Sequence, residues 1–240
     1  MTLRAIRTQT VEELRMTLER GETLLVTFGI PIILLIFFSK VSVFSTGTSH
    51  GVAFVAPGIL ALAVMSSSMV SLGIATGFER SYGVLRRIGM TPLGRRSLIS
   101  AKILAIIKIE ILQMIVLGAI AFGLGWHPGS QILQALAALL LASIAFGGIG
   151  LLLAGTMRAE ATLALANGLY VIFLLIGGII FPLDKLGGFA QFARLLPGAA
   201  LTNILHPILS GSHAPTSAWI TLGVWAVLGP VAATRFFRFE

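Results

Sequence analysis

The sequence predicts an all-α membrane protein, and three observations carry that prediction. Of its 240 residues, 56% are apolar and only 11% charged, where a soluble domain keeps about a quarter of its residues charged. The apolar residues gather into continuous runs near the length of about 20 that a spanning helix needs. Those runs lack the polar alternation of barrel strands. With a mean hydropathy of +0.98, the chain has too little polar surface to cover a water-exposed fold.

Six spans are expected, over residues 23–39, 52–78, 98–125, 131–155, 162–181 and 217–236. The first is short, fenced by Glu22 and Lys40, and suits a thin or locally thinned bilayer. Ahead of it, residues 1–22 are too polar for a cleaved signal peptide. At about 100° per residue, Leu3, Ile6, Val11, Leu14 and Leu18 share one arc, with Arg4, Glu12, Arg15 and Glu19 off it. This predicts an amphipathic helix lying in the headgroup plane. Residues 182–216 are too apolar for a plain loop. Phe189, Phe192, Leu195 and Leu196 recur at helical spacing, Pro197 interrupts, and "ALTNILHPIL" resumes the pattern. Two short outer half-helices fit this region, since re-entrant backbone is tolerated where protein covers it. The whole chain, 1–240, reads as one transmembrane domain.

Orientation follows from the loop arginines and lysines. With the N-terminus inside, the inner segments hold Arg4, Arg7, Arg15, Arg20, Arg80, Arg86, Arg87, Arg95, Arg96, Arg158, Arg235 and Arg238. The outer segments hold only Lys40, Lys185 and Arg194. Both termini are therefore expected in the cytoplasm, in a multi-pass protein of the cytoplasmic membrane. Lys102 and Lys108, at the inner entrance of the third span, are expected to snorkel toward the headgroups. The net charge of +8 is accounted for by this topology and by membrane lipid, so no nucleic-acid partner is implied. The four histidines, His50, His127, His206 and His213, fall outside and read as loop residues without metal-ligand spacing. The absence of cysteine excludes disulfides and thiol chemistry.

The charged interruption "FERSYGVLRRIGMTPLGRRSL" (residues 78–98) stands apart from its surroundings. Projected as one helix over 79–89, it places Tyr82, Val84, Leu85 and Ile88 on one side. Glu79, Arg80, Arg86 and Arg87 then share an arc of roughly 120° on the other. Thr91, preceding Pro92, is biased out of the helical region, and Gly94 permits the reversal into the third span. Anchoring on anionic lipid would need only the arginines. It leaves the apolar face unexplained.

In these residues the chain resembles the ABC type-2 exporter permeases, the daunorubicin-resistance permeases among them. The resemblance rests on Glu79-Arg80, then Gly83, Leu85, Arg86 and Arg87, then "TPL", with Lys102 ten residues on. A second stretch, "GGIIFPLDKL…ARLLPGAALTNILHPIL", is similar to that group's link between its fifth and sixth helices. The chain departs from the usual pattern at Val84, at Leu186-Gly187 and at Glu110.

The resemblance implies that the inner loop, 79–97, carries a coupling helix seated on a separate ATP-binding-cassette ATPase subunit. Tyr82, Leu85 and Ile88 would supply packing there, and Glu79, Arg80, Arg86 and Arg87 would orient it by charge. ATP and Mg would belong to that subunit, because this sequence has no phosphate-cradling G-x-x-x-x-G-K-[ST] loop. Six spans are few for a pathway, so a second copy or a paralogue is expected to complete it.

Within the spans, Glu110 and Gln113 lie on one face of the third helix at i and i+3. A carboxylate at that depth costs about 2.5–3.5 kcal/mol on insertion scales unless it is paired or wet. Two readings stand. One is an interhelical hydrogen bond, to Lys108 or to Asn167. The other is a place for Glu110, Gln113 and Asn167 on the translocation route or the dimer seam. Gly73 and Gly77, and Ser143 and Gly147, form small-xxx-small pairs read as close helix packing.

The function expected is a permease subunit of an ATP-driven exporter, moving an amphipathic drug, lipid or secondary metabolite. The alternative is an ion-coupled secondary transporter, but neither an internal repeat nor clustered midplane charges is present. An intramembrane enzyme would need a nucleophile–base pair or metal-ligand motif, and the sequence has no H-E-x-x-H.

Overall fold

A computed structural model describes residues 3–19, 21–40, 51–90, 94–179 and 187–238, and the regular elements among them are all helical. The chain opens with α1 (Leu3–Glu19) and continues through α2 (Gly21–Leu24), a π-helical segment Leu25–Gly29, and α3 (Ile30–Lys40). Next come α4 (Gly51–Val64), a second π segment Met65–Ser71 and α5 (Leu72–Ser81), joined into one rod. The short α6 (Val84–Gly89) follows, then α7 (Arg95–Gly123), α8 (Ile132–Thr156) and α9 (Ala159–Ile176). The chain closes with α10 (Ala190–Ala193), α11 (Pro197–Leu209) and α12 (Thr216–Phe236).

Among the described residues, five helices are long and apolar enough to cross a membrane: Val52–Ser81, Arg95–Gly123, Ile132–Thr156, Ala159–Ile176 and Thr216–Phe236. They make this a multi-pass membrane protein. The first expected span is met by a shorter apolar helix, Thr27–Lys40. The expected break at Thr91-Pro92 lies outside the described residues, as do residues 180–186 at the start of the expected outer half-helices.

Helix α8 is the hub, packing against α12, α5, α11, α7, α9 and the second π segment. Its sequence explains why: buried alanines and glycines let neighbouring backbones approach closely. At Gly148 an added Cβ would stand 2.4 Å from the Gly229 carbonyl carbon of α12. Gly73, read as a close-packing residue, meets the backbone of Gly150 within the same chain, and Gly77 meets Thr162 of α9.

Helices α10 and α11 stand where two outer half-helices were expected. Yet α11 is a core element, burying Leu201, Ile204, Leu205 and Ile208 against α8, α4 and α12. His206 is accordingly no loop residue. It lies on α11, which is not one of the spans, with its ring 5.0 Å from that of Phe54. Burial lowers its pKa from 6.5 to about 4.

An unfolded chain would take up this proton at higher pH than the folded one. The stabilisation is therefore whole above 6.5 and is lost as pH falls toward 4. Thermal unfolding in detergent from pH 7.5 to 4.5 should show this loss, at up to about 1.4 kcal/mol per pH unit. His206→Phe should flatten the profile over that window. An identical acid slope in both proteins would remove His206 as its source.

Candidate functional site

Three charged side chains from three elements meet at the end of the bundle where α1 lies. Lys102, on the second turn of α7, points inward with only 1% of its surface exposed. Its Nζ donates to Glu13 Oε2 of α1 at 2.8 Å and to Glu79 Oε2 of α5 at 2.7 Å. Gln9, one turn before Glu13, donates from Nε2 to Glu13 Oε1 at 2.9 Å. Charges this deeply desolvated persist only when paired and hydrogen-bonded. Lys102 therefore does not snorkel: its ammonium is held where two carboxylates outcompete the headgroup region.

Glu13 is the residue sequence reasoning missed. The side of α1 that packs on α7 buries Thr10 and Glu13, while Val11 and Leu18 of the expected apolar arc are exposed. The polar residues face protein because Lys102 waits for Glu13. An acidic residue on a basic helix and a lysine inside a span form a legible pair once both are seen as unaffordable alone.

The inner loop departs from the single helix projected over 79–89. Gly83 takes a left-handed conformation, φ 73°, which ends α5 and starts α6 afresh. The break rotates the two halves relative to each other, so residues before and after it no longer share faces. Glu79 turns inward to Lys102. Arg80 Nη1 donates to the carbonyls of Ala154 and Met157, both at 3.1 Å, capping the end of α8. Leu85 has no exposed surface and packs in a cluster with Leu98, Ile99 and Phe237. Of the residues expected to contact a partner, Tyr82, Arg86 and Arg87 stand exposed and Ile88 is half-buried. Met90, also exposed, extends that surface.

Deeper in the bundle, Glu110 and Gln113 are both buried, at 1% exposure. The Ser143 hydroxyl of α8 donates to Glu110 Oε2, so its partner is neither Lys108 nor Asn167. Gln113 Oε1 accepts from Ser67 Oγ at 3.0 Å, and its Nε2 donates to the Thr27 carbonyl at 2.6 Å. Pro31, four residues after Thr27, has no N–H for that carbonyl, and the carboxamide takes its place. Gln113 thus ties α7 to both π segments. Asn167 is not brought to this pair. It is exposed on α9, its Nδ2 donating to the Leu163 carbonyl at 2.8 Å.

Asn167 borders a cavity of about 680 Å³ that runs between α1, the α4–α5 rod, α7 and α9. Ile30, Phe78 and Tyr170 line it, together with Glu13, Glu79 and Lys102. Among the described residues, no group of three His, Cys, Asp or Glu is placed to hold a metal ion.

A family model described as "ABC-2 type transporter" matches residues 4–209. The chain is also similar to "Putative transport permease YvfS" of Bacillus subtilis (strain 168). The two are 26% identical over 195 residues, 79% of this chain and 78% of that protein.

Proposed function

The chain belongs to the ABC-2 type transporter family, and from that premise we propose that it is the membrane subunit of an ATP-driven exporter. It has six spans, with the Thr27–Lys40 helix the first and both termini on the cytoplasmic side of the inner membrane. Residues 1–22 form an interfacial helix, 79–97 the cytoplasmic coupling loop and 182–216 the outer half-helices. A separate ATP-binding-cassette subunit binds ATP and Mg. A second copy of this chain or a paralogue completes the pathway. The cargo is amphipathic and enters from the inner leaflet or the cytosol.

One observation carries this reading: the docking of α6. Leu85 anchors it in the core of the bundle, while Tyr82, Arg86, Arg87 and Met90 are left on the outside. A partner pushing on that surface moves α5 through Gly83 and the end of α8 through Arg80. Glu79 and Arg80 act in coupling from inside the chain, as the linkage behind the docking helix.

The test is co-purification with an ATP-binding-cassette ATPase encoded beside this chain, followed by ATP-dependent transport. Tyr82→Ala combined with Arg86→Glu and Arg87→Glu should leave the permease folded, release the ATPase and abolish transport. Full ATP-dependent transport by that variant would remove α6 from coupling. Replacing Leu85 by Asp is not diagnostic, because a buried leucine is lost with the fold.

A further inference from the structure

Helix α6 is six residues long, and a helix that short is not stable by itself. At its start stands Gly83 in a left-handed conformation, a joint that permits many directions. The pose of α6 therefore depends on what lies under Leu85, its buried residue. The cluster around Leu85 takes Leu98 and Ile99 from α7, Leu151 from α8 and Ala233 from α12, with Phe237 just beyond the end of α12. Among the described residues, Phe237 is the largest of the buried members of that cluster, and none of its surface is exposed. Its own N–H still closes the last turn of α12, donating to the Ala233 carbonyl at 2.9 Å. The backbone then becomes extended, at φ −62° and ψ 127°, and the Arg238 N–H donates to the Gly155 carbonyl of α8 at 3.0 Å. Gly155 leaves room for the ring: a Cβ there would stand 2.8 Å from Phe237 Cγ and 2.9 Å from its Cα. One residue earlier, the Ala154 carbonyl accepts from Arg80. The last turn of α8 thus receives both the end of the rod that leads into α6 and the end of α12.

We propose that Phe237 is a positioning residue for the ATPase: buried out of the partner's reach, it forms the floor that holds α6 in the pose the ATPase binds. A helix already held in its bound pose loses less freedom on docking. Without the ring, Leu85 has a void beneath it and α6 tilts about Gly83. The proposal rests on the coupling reading of α6 and adds to it a residue that follows the last span.

The sequence has no cysteine, so Met90→Cys, at an exposed position directly after α6, carries a spin label as the single thiol. In nanodiscs of phosphatidylcholine, without ATPase, the label reports the mobility of α6 itself. Phe237→Ala should raise that mobility. In the unlabelled chain it should also weaken binding of the ATPase encoded beside this chain by at least about tenfold. Gly155→Ala, which displaces the ring and keeps every aromatic atom, should do the same. Leu222→Ala removes a side chain equally buried in the first half of α12, in a different apolar cluster, and should leave both readings unchanged. Phe237→Leu keeps most of the volume. It should move both readings less but in the same direction, and it serves where Phe237→Ala does not fold.

Unchanged label mobility in folded Phe237→Ala or Phe237→Leu overturns the proposal. So does an equal change in Leu222→Ala, which would make the effect one of general stability. Parent affinity for the ATPase in a variant whose label has loosened overturns it too. The label measurement takes place without the ATPase. If the triple variant at Tyr82, Arg86 and Arg87 keeps its ATPase, the coupling reading falls while the mobility result stands. If that variant loses the ATPase and Phe237→Ala does not, the proposal alone falls.

Discussion

Lys102→Met is expected to cost about 3–5 kcal/mol, the range found when one partner of a buried ion pair is removed. Without its ammonium, Glu13 and Glu79 remain as two carboxylates turned toward one vacated point, and both are buried. Neither has an easy escape. Glu13 is fixed by the packing of α1 on α7, and Glu79 lies within the last turn of the α4–α5 rod. The expected result is a permease that extracts poorly or loses its monodisperse peak well below the parent's unfolding temperature, read by size exclusion after heating. Glu13→Gln should lose much less, because Lys102 keeps Glu79. If Lys102→Met unfolds at the parent's temperature, the triad contributes no stability and its three members are held apart in the membrane.

Gly148→Val is expected to act through shape alone. A Cβ at this position stands 2.4 Å from the Gly229 carbonyl carbon and from Pro230 N, and 2.6 Å from Pro230 Cδ. Overpacking of a filled core costs about 1–3 kcal/mol, occasionally more. The upper end applies here, because the opposing atoms are backbone and a proline ring with no rotamer to escape into. Helices α8 and α12 must separate, and with them the hub on which the other spans rest. The thermal midpoint should fall accordingly. Gly118→Ala, where nothing lies within 4 Å of the added atom, should be neutral or stabilising by up to about 1 kcal/mol. Equal midpoints for Gly148→Val and Gly118→Ala would mean that the α8–α12 contact is not close.

The Glu110 and Gln113 pair shows how far sequence reading reached. A carboxylate and a carboxamide at i and i+3 in an apolar run had to face protein, and both are buried. Their partners could not be read. Ser143, Ser67 and the Thr27 carbonyl are 33, 46 and 86 residues away in sequence, and no periodicity links them. Lys102 shows the complementary failure. Its place near a membrane edge suggested snorkelling, a local solution, whereas the protein supplies two carboxylates from elsewhere in the chain.

The charged loop divides along the same line. Its arginines, its apolar positions and its place between two spans were legible, and so was the resemblance that pointed to an exporter permease. The face each residue occupies was not, because one left-handed glycine at position 83 resets the helix. Upstream of it Glu79 and Arg80 belong to the span, and downstream of it Leu85 faces the core.

Sequence by itself determined the solvent, the helical class and the approximate spans. These depend on composition and on the length of apolar runs, which are local properties that a bilayer imposes on any chain. It also determined that Glu110, deep in an apolar run, had to face protein. Only the tertiary structure decided which charges pair, which helix forms the hub, and where a cavity remains between α1 and the spans. Those outcomes depend on which backbones approach closely enough to touch. That approach is decided by single glycines and by side chains dozens of residues apart, and no local pattern records it.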